Sequence, residues 1–266
     1  DSSDAAAMKA AIRPNTRMIM IEAVSNPTLR VADVTGIAKL AAAHGALLVV
    51  DNTFTTPAMF RPMEHGADIV INSITKFLAG HSDVTLGYVV ARDPGLRTAI
   101  YDAAVTWGTT PSPFDCWLAQ RGLHTFDLRF EKAQATAAAL ADALAGRDGI
   151  RQVIYPGRAD HPHHNRAGTL FGGQFGNMLS FEIEGGRDEV NSFVMKAGGI
   201  PFAPTLGDGG CTLSHPASSA HRALTTEGRA ALGISEGYFR LSVGIEPPEL
   251  VLAELDAALA AVRGES

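Results

Sequence analysis

Two ionisable side chains in the first half of the chain stand at or just beyond the ends of apolar segments. Asp51 ends the segment ALLVVD, and Lys76 follows the segment DIVINSI after one further residue. Segments of this kind are typical of strands, and in open α/β sheets ligands bind outside the carboxyl ends of the strands. Both side chains are therefore expected in one crevice. A lysine in surroundings of low polarity loses its proton easily, and its amine can then form a Schiff base with a carbonyl group.

Two hydroxyl groups, those of Ser73 and Thr75, precede Lys76 in the pattern S-x-T-K. Hydroxyls can donate hydrogen bonds to phosphate oxygens, and an aspartate can keep a pyridine nitrogen protonated. A lysine and an aspartate are the two protein groups that the chemistry of pyridoxal 5′-phosphate (PLP) requires. Each residue also has an ordinary explanation, since a lysine after a strand is commonly solvated and an aspartate at a strand end commonly forms a turn. The residues alone leave both interpretations open.

Composition excludes several classes of protein. The chain has 266 residues, of which 46% are hydrophobic and 19% charged, with a formal net charge of -6. This acidic balance argues against a nucleic-acid-binding protein, which would carry a basic face. The longest apolar runs, such as residues 46–50, are too short to span a bilayer. Cys116 and Cys211 are the two cysteines, so we expect no disulfide framework and a cytoplasmic location.

The first half alternates short apolar segments with helical patterns. Residues 31–45, for example, have helical spacing and end in a glycine. The segments that predict strands are residues 18–24, 46–53, 68–74 and 86–92. Strands that alternate with helices, each almost wholly apolar, predict an α/β domain with a parallel or mixed sheet covered on both faces.

The second half has a different pattern. A long Ala-rich helix is expected at residues 127–146. Residues 176–184 and 238–246 alternate apolar and polar side chains, which predicts half-buried strands of an antiparallel sheet. This α+β pattern places a domain boundary near residue 127, so the predicted domains are residues 1–127 and 128–266. The Gly/Pro-rich stretch 201–216 is expected to be a loop.

The histidine-rich segment HPHHN, residues 161–165, raises the question of a metal site. No carboxylate or cysteine stands at a suitable spacing from it, so we expect a solvated loop and no metal.

Six segments together resemble the Cys/Met-metabolism (transsulfuration) family of PLP enzymes, which includes cystathionine lyases and synthases, methionine γ-lyase and homoserine-ester sulfhydrylases. The segments are EAVSNPTLRV, VVDNTFTTP, DIVINSITKFLAGHSD, SPFDCWLAQRGLHTFDLR, LSHPASSAH and GISEGYFRLSVGIE. The resemblance covers essentially the whole chain and implies the PLP-dependent transferase fold type I. That fold has a large domain with a mostly parallel sheet and a smaller α+β C-terminal domain.

The resemblance also implies roles for seven residues. Lys76 would be the catalytic residue that attaches PLP, Asp51 would pair with the pyridine nitrogen, and Arg240 would bind the substrate carboxylate. The remaining implied contacts are Ser73 and Thr75 with the phosphate, Asn26 with the cofactor's 3-oxygen and the substrate, and Thr205 near the substrate carboxylate. Without the resemblance, Arg240 on its alternating strand would be expected at the surface.

The activity implied is γ-elimination, a C–S cleavage of methionine-like or cystathionine-like substrates that gives 2-oxobutanoate, ammonia and a thiol. The alternatives are γ-replacement on an O-acylhomoserine and a non-catalytic scaffold with the same fold. Pro204 stands where cystathionine γ-lyases and γ-synthases generally have glutamate, and Cys211 and Thr212 replace a Glu-Ser pair. These departures favour a smaller substrate. The family also implies a homotetramer built from two dimers, and an N-terminal portion that this chain lacks.

Overall fold

The computed structural model describes residues 1–265 and contains two compact units. The first unit consists of residues 1–25 and 30–127, and the second consists of residues 26–29 and 128–265. Residues 26–29 therefore belong to the second unit, although they lie within the first unit's part of the sequence. Within residues 1–265, no helix is long and apolar enough to cross a membrane.

The first unit begins with α1 and contains a four-stranded sheet in the order β1-β2-β3-β4. Its strands are β1 (Met18–Glu22), β2 (Leu47–Asp51), β3 (Ile69–Ser73) and β4 (Gly87–Ala91). Its helices are α1 (Ala5–Ala11), α2 (Val34–His44), α3 (Thr56–Met59), α4 (Pro94–Trp107) and α5 (Pro113–Leu123). A 3-10 turn spans Pro62–His65, and a π-helical turn spans Ile74–Leu78.

Three strands of this sheet are parallel, and β4 runs antiparallel to β3. Leu48 and Val50 of β2 are fully buried and Val49 is nearly so, which means that this strand is covered on both faces. A strand buried in this way has a continuous apolar sequence rather than an alternating one. The predicted fold class, an α/β unit with a mostly parallel sheet, is confirmed.

Local sequence signals set the ends of the helices in this unit. Asp33 accepts the N–H of Gly36 at the start of α2, and Gly45 ends that helix in the left-handed conformation with φ of 68°. At α5, Ser112 and Asp115 form a capping box, in which each side chain accepts the other residue's backbone N–H. Helix α5 is therefore fixed at its N-terminus.

The second unit contains an antiparallel sheet in the order β5-β6-β8-β7. Its strands are β5 (Ile150–Ile154), β6 (Met178–Ile183), β7 (Thr212–Ser214) and β8 (Tyr238–Ser242). Its helices are α7 (His164–Leu170), α8 (Arg187–Lys196), α9 (Thr226–Ala231) and α10 (Pro248–Val262), and α6 (Phe126–Leu144) leads into the unit. The core includes the rings of Phe181, Phe193 and Phe239, whose centroids are 4.9–5.9 Å apart.

Two expectations for this unit were wrong. All five residues of β8 are buried, so that strand is not half-exposed. The alternation is real, because Phe239 and Leu241 belong to the apolar core while Arg240 lies on the opposite face, but that polar face is buried too. The stretch 201–216 is also not wholly a loop, since β7 lies within it and pairs with β8.

Candidate active site

Asp51 lies at the carboxyl end of β2, aligned with Glu22 of β1 and Ile71 of β3. Its Oδ1 accepts the backbone N–H of Thr53 at 2.8 Å, and the side chain is half-buried. This turn orients the carboxylate at the edge of the sheet where ligands bind in α/β proteins. The position predicted for Asp51 from its strand is thus the one observed.

A buried hydrogen-bond network ties the end of β2 to the end of β3. The Thr53 hydroxyl accepts the Ser73 N–H at 3.0 Å, and the Asn72 amide donates to the Asn52 carbonyl at 2.9 Å. The Thr55 hydroxyl donates to the Asn52 side chain at 2.5 Å. Because buried polar groups of this kind must be paired, the network fixes the two strand ends relative to each other. Sequence reasoning missed it, although the polar residues after VVD were a signal.

The π-helical turn Ile74–Leu78, here called the lysine turn, carries Lys76 directly after β3. Lys76 is half-buried and has non-helical angles, with φ of -87° and ψ of -128°. The turn is closed by hydrogen bonds from the Ala79 N–H to the Ile74 carbonyl at 2.9 Å and from the Gly80 N–H to the Lys76 carbonyl at 2.8 Å. The lysine is therefore held on a defined backbone and not on an open loop.

Thr75 ties the lysine turn to the segment before β4. Its hydroxyl donates to the Leu86 carbonyl at 3.1 Å and accepts the Leu86 N–H at 2.8 Å. A hydroxyl has one hydrogen to donate, and here it points at a carbonyl. In this arrangement Thr75 acts as a brace for the lysine turn.

A cavity of about 1160 Å³ lies at this edge of the first unit. Three of the predicted residues, Asp51, Ser73 and Thr75, line it together with Asn72 and Tyr88. Its volume is comparable to that of small-molecule sites, roughly 300–1,000 Å³. The structure thus brings the predicted carboxylate and hydroxyls to one cavity, whereas Lys76, which follows Thr75 on the same turn, is not among the residues that line it.

In the second unit, Arg240 is the centre of a separate polar cluster. Its Nη1 donates to the Asn26 Oδ1 at 2.9 Å, and its Nη2 donates to the carbonyls of Thr205 at 2.8 Å and Pro204 at 3.2 Å. The residue is 4% exposed, and burial lowers the pKa of Arg240 to about 10, so it stays charged at neutral pH. The surface position expected from alternation alone was wrong.

The backbone of residues 26–29 is anchored beneath this cluster. The hydroxyls of Ser180 and Tyr238 both donate to the Pro27 carbonyl, at 2.8 and 2.9 Å. These bonds fix Asn26 next to Arg240. Within residues 1–265 the buried Nε of Arg240 has no hydrogen-bond acceptor.

A family model described as Cys/Met metabolism PLP-dependent enzyme matches residues 1–260. The chain belongs to this family. It is 40% identical to the L-methionine gamma-lyase of Pseudomonas putida over 262 residues, which cover 98% of this chain and 66% of that protein. It is 39% identical to the cystathionine beta-lyase of Bacillus subtilis over 259 residues, which cover 97% of this chain and 66% of that protein. The chain thus spans just under two thirds of the length of these curated relatives.

Solved structures of transsulfuration enzymes have the same fold. Cystathionine gamma synthase from Xanthomonas oryzae superimposes with a TM-score of 0.94 at 42% identity, over 100% of this chain and 68% of that one. Cystathionine gamma-lyase from Lactobacillus plantarum superimposes with a TM-score of 0.94 at 36% identity, over 99% of this chain and 68% of that one. The predicted family and fold type are confirmed. Relatives with different reactions are nearly equally similar, so identity does not separate a lyase from a synthase.

The residues of the first unit fit PLP, the cofactor of this family. The lysine turn supplies an amine, β2 supplies a carboxylate, and Ser73 supplies a hydroxyl at the cavity. This set matches the carbonyl, the pyridine nitrogen and the phosphate of PLP.

The histidine-rich segment is not the solvated loop that was expected. His161 is 6% exposed, and its Nδ1 accepts the His163 N–H at 3.1 Å. The ring of His164 stacks on Phe175 with centroids 5.4 Å apart. Among residues 1–265, no group of three His, Cys, Asp or Glu side chains could hold a metal ion. These histidines pack the second unit.

Acidification from pH 7 to pH 5 is expected to lower the free energy of unfolding by about 1–2 kcal/mol through His161. Burial, with a contribution from His163, lowers the pKa of His161 to about 4. An unfolded histidine titrates near 6.5, so the unfolded state binds more protons between these values and stability falls as the pH falls. Urea unfolding at both pH values measures the loss. His161→Asn keeps an acceptor but does not titrate, so it should show a smaller loss, and an unchanged loss would contradict the assignment.

Proposed function

We propose that the protein is a PLP-dependent enzyme that cleaves the C–S bond at Cγ of a sulfur amino acid such as methionine or cystathionine. The products are 2-oxobutanoate, ammonia and a thiol. The observation that carries this proposal is the arrangement of the first unit: Thr53 ties the strand end that bears Asp51 to Ser73, and Lys76 follows on the lysine turn. The family to which the chain belongs supports the same chemistry.

In this proposal Lys76, Asp51 and Ser73 hold the cofactor. Lys76 is the covalent anchor, Asp51 faces the pyridine nitrogen, and Ser73 donates to the phosphate, while Asn26 is assigned to the 3-oxygen. The one hydroxyl hydrogen of Thr75 is already donated to the Leu86 carbonyl. Thr75 must therefore break that hydrogen bond before it can donate to the phosphate. PLP, when bound, supplies an electron sink for the bonds broken at the substrate's α-carbon.

The amine of Lys76 is proposed to move the protons. It would take the proton from Cα of the substrate and pass it to the former carbonyl carbon of PLP, which frees the amine to take a proton from Cβ. The γ-substituent would then leave with the electrons of its bond. General acid–base catalysis of this kind contributes roughly 10²–10⁴-fold to the rate. The half-buried position of Lys76 limits its hydration.

Arg240 is proposed to bind the α-carboxylate of the substrate, with Thr205 nearby. A planar guanidinium presents two parallel N–H groups to a carboxylate, which a lysine cannot reproduce. The carbonyls of Pro204 and Thr205 and the side chain of Asn26 hold the guanidinium plane in place. The buried Nε would gain an acceptor when an anion binds.

A second candidate reaction is γ-replacement on an O-acylhomoserine. The O-succinylhomoserine sulfhydrylase of Pseudomonas aeruginosa is 38% identical over 260 residues, and the cystathionine gamma-synthase of Escherichia coli is 39% identical over 256 residues. Both reactions use the amine of Lys76, the carboxylate of Asp51 and the guanidinium of Arg240 in the same roles. They differ in whether water or a thiol completes the reaction.

Incubation of the protein and PLP with methionine, cystathionine, and O-acetylhomoserine plus sulfide separates these possibilities. Release of 2-oxobutanoate from methionine or cystathionine supports the lyase, and a new thiol or thioether product from O-acetylhomoserine supports γ-replacement. If none of the three substrates gives a product, a non-catalytic scaffold with this fold is favoured instead. A homotetramer of two dimers and a cytoplasmic location belong to the same proposal, and sedimentation and cell fractionation test them.

A further inference from the structure

Helix α5 approaches the lysine turn more closely than any side chain would permit. Gly122 is buried on α5, and a Cβ built on it would lie 2.3 Å from the Ala79 carbonyl oxygen and 2.7 Å from the Ala79 Cα. Real Cβ atoms are not found at such distances from backbone atoms. The absence of a side chain at Gly122 therefore allows a direct backbone-to-backbone contact.

The backbone that Gly122 contacts belongs to Ala79, the residue that directly follows the lysine turn. Ala79 is fully buried, and its N–H closes the turn by donating to the Ile74 carbonyl at 2.9 Å. The Ala79 carbonyl oxygen lies 2.5 Å from the Nδ1 of His81, two residues further along the chain. The Gly80 N–H, in the same peptide unit as the Ala79 carbonyl, donates to the Lys76 carbonyl at 2.8 Å, so a displacement of Ala79 would be transmitted to Lys76.

The other contacts of the turn come from different directions. Thr75 is hydrogen-bonded to Leu86, and the ring of Phe77 meets Phe54 edge-on with centroids 6.4 Å apart. Helix α5 therefore contacts the lysine turn from a third side. The capping box of Ser112 and Asp115 fixes the N-terminus of this helix, at the end away from Gly122.

We infer that Gly122 is a positioning residue that sets the distance of the lysine turn from α5 and thereby aims the Lys76 amine. This inference rests on the proposed function, because it concerns the lysine assigned to PLP. A methyl group at position 122 must push the Ala79 backbone away by about 1 Å to reach ordinary contact, and misplacements of about that size are known to slow reactions strongly.

The test is the rate at which Lys76 captures added PLP. The protein is mixed with PLP, samples are reduced with borohydride over time, and the labelled peptide that contains Lys76 is quantified by mass spectrometry. Gly122→Ala is expected to slow this labelling by about 10-fold, consistent with the geometric sensitivity of such reactions. The absorbance of the bound cofactor, recorded against pH, should change as well.

Gly168→Ala is the matched control. Gly168 also lies within a helix, α7, but nothing lies within 4 Å of a Cβ built there. Alanine is the better helix former, so this variant should be stable and should label Lys76 at the wild-type rate. Slow labelling in Gly122→Ala with normal labelling in Gly168→Ala supports the inference.

If Gly122→Ala does not fold, the double variant with Ala79→Gly replaces it. Glycine at position 79 lets the peptide rotate away from the new methyl group, and the inference still expects slow labelling, with Ala79→Gly alone as its control. Wild-type labelling in a folded Gly122 variant overturns the inference and leaves the proposed function intact. Failure of the wild-type protein to label at Lys76 overturns both.

Discussion

Replacement of Lys76 by alanine is expected to abolish covalent attachment of PLP and to lower kcat by about 10²–10⁴-fold. The variant lacks the amine that anchors the cofactor and moves the protons at Cα and Cβ. Its side chain is half-buried and not part of a core cluster, so the fold should survive the truncation. Borohydride reduction followed by intact-mass measurement detects the attachment, and release of 2-oxobutanoate measures the rate.

Lys39→Ala provides the control for this experiment. Lys39 is exposed on helix α2 of the same unit, so its loss removes an amine of the same kind without touching the cavity. It should bind PLP and turn over substrate like the wild-type protein. Covalent attachment or normal turnover in Lys76→Ala would show that another group performs the chemistry, and the proposed function would then be wrong.

The position of Asp51 and the strand before Lys76 could be predicted because they depend on local signals. An apolar segment that ends in a carboxylate shows where a strand ends, and parallel strands bring their carboxyl ends to one edge of the sheet. The alternation of such segments with helical patterns was enough to predict the α/β unit. The roles of the residues came from the resemblance, since an S-x-T-K pattern alone also fits a solvated loop.

The burial of Arg240 could not be predicted in the same way. The alternation along β8 shows which side chains share a face, but it does not show whether that face is covered. The cover includes residues 26–29, which are more than 200 residues away in sequence and are held by the hydroxyls of Ser180 and Tyr238. Period-two alternation contains no information about such a distant partner.

The contact of Gly122 with Ala79 was also outside the reach of sequence patterns. A glycine near the end of a helical segment ordinarily predicts a helix end, whereas here it lies inside α5 and permits a close approach. For Gly122 the deciding contact is between segments and not within one. The histidine-rich segment is a different case, because polar composition favoured a solvated loop while His161 is buried and accepts a hydrogen bond from within its own segment.

Replacement of Arg240 by lysine is expected to raise KM by about 10- to 100-fold with a smaller effect on kcat. A lysine ammonium cannot reproduce the planar fork, and the loss of one charge-assisted hydrogen bond of about 1.5–3 kcal/mol corresponds to that change. Steady-state kinetics with the amino-acid substrate measures it. The corresponding amine without a carboxylate should be handled almost equally by the wild type and the variant.

Arg229→Lys separates substrate binding from the general effect of disturbing a buried arginine. Arg229 is 9% exposed, donates to the Leu224 carbonyl at 2.8 Å and pairs with Glu236 at 3.3 Å, but it has no assigned contact with substrate. The Arg229→Lys variant should be less stable than the wild-type protein but should have the same KM. Because both variants replace a buried guanidinium in the same unit, a raised KM that appears in Arg240→Lys alone assigns the carboxylate to Arg240. An equal rise in both variants would instead attribute the effect to disturbed packing, and the role proposed for Arg240 would be rejected.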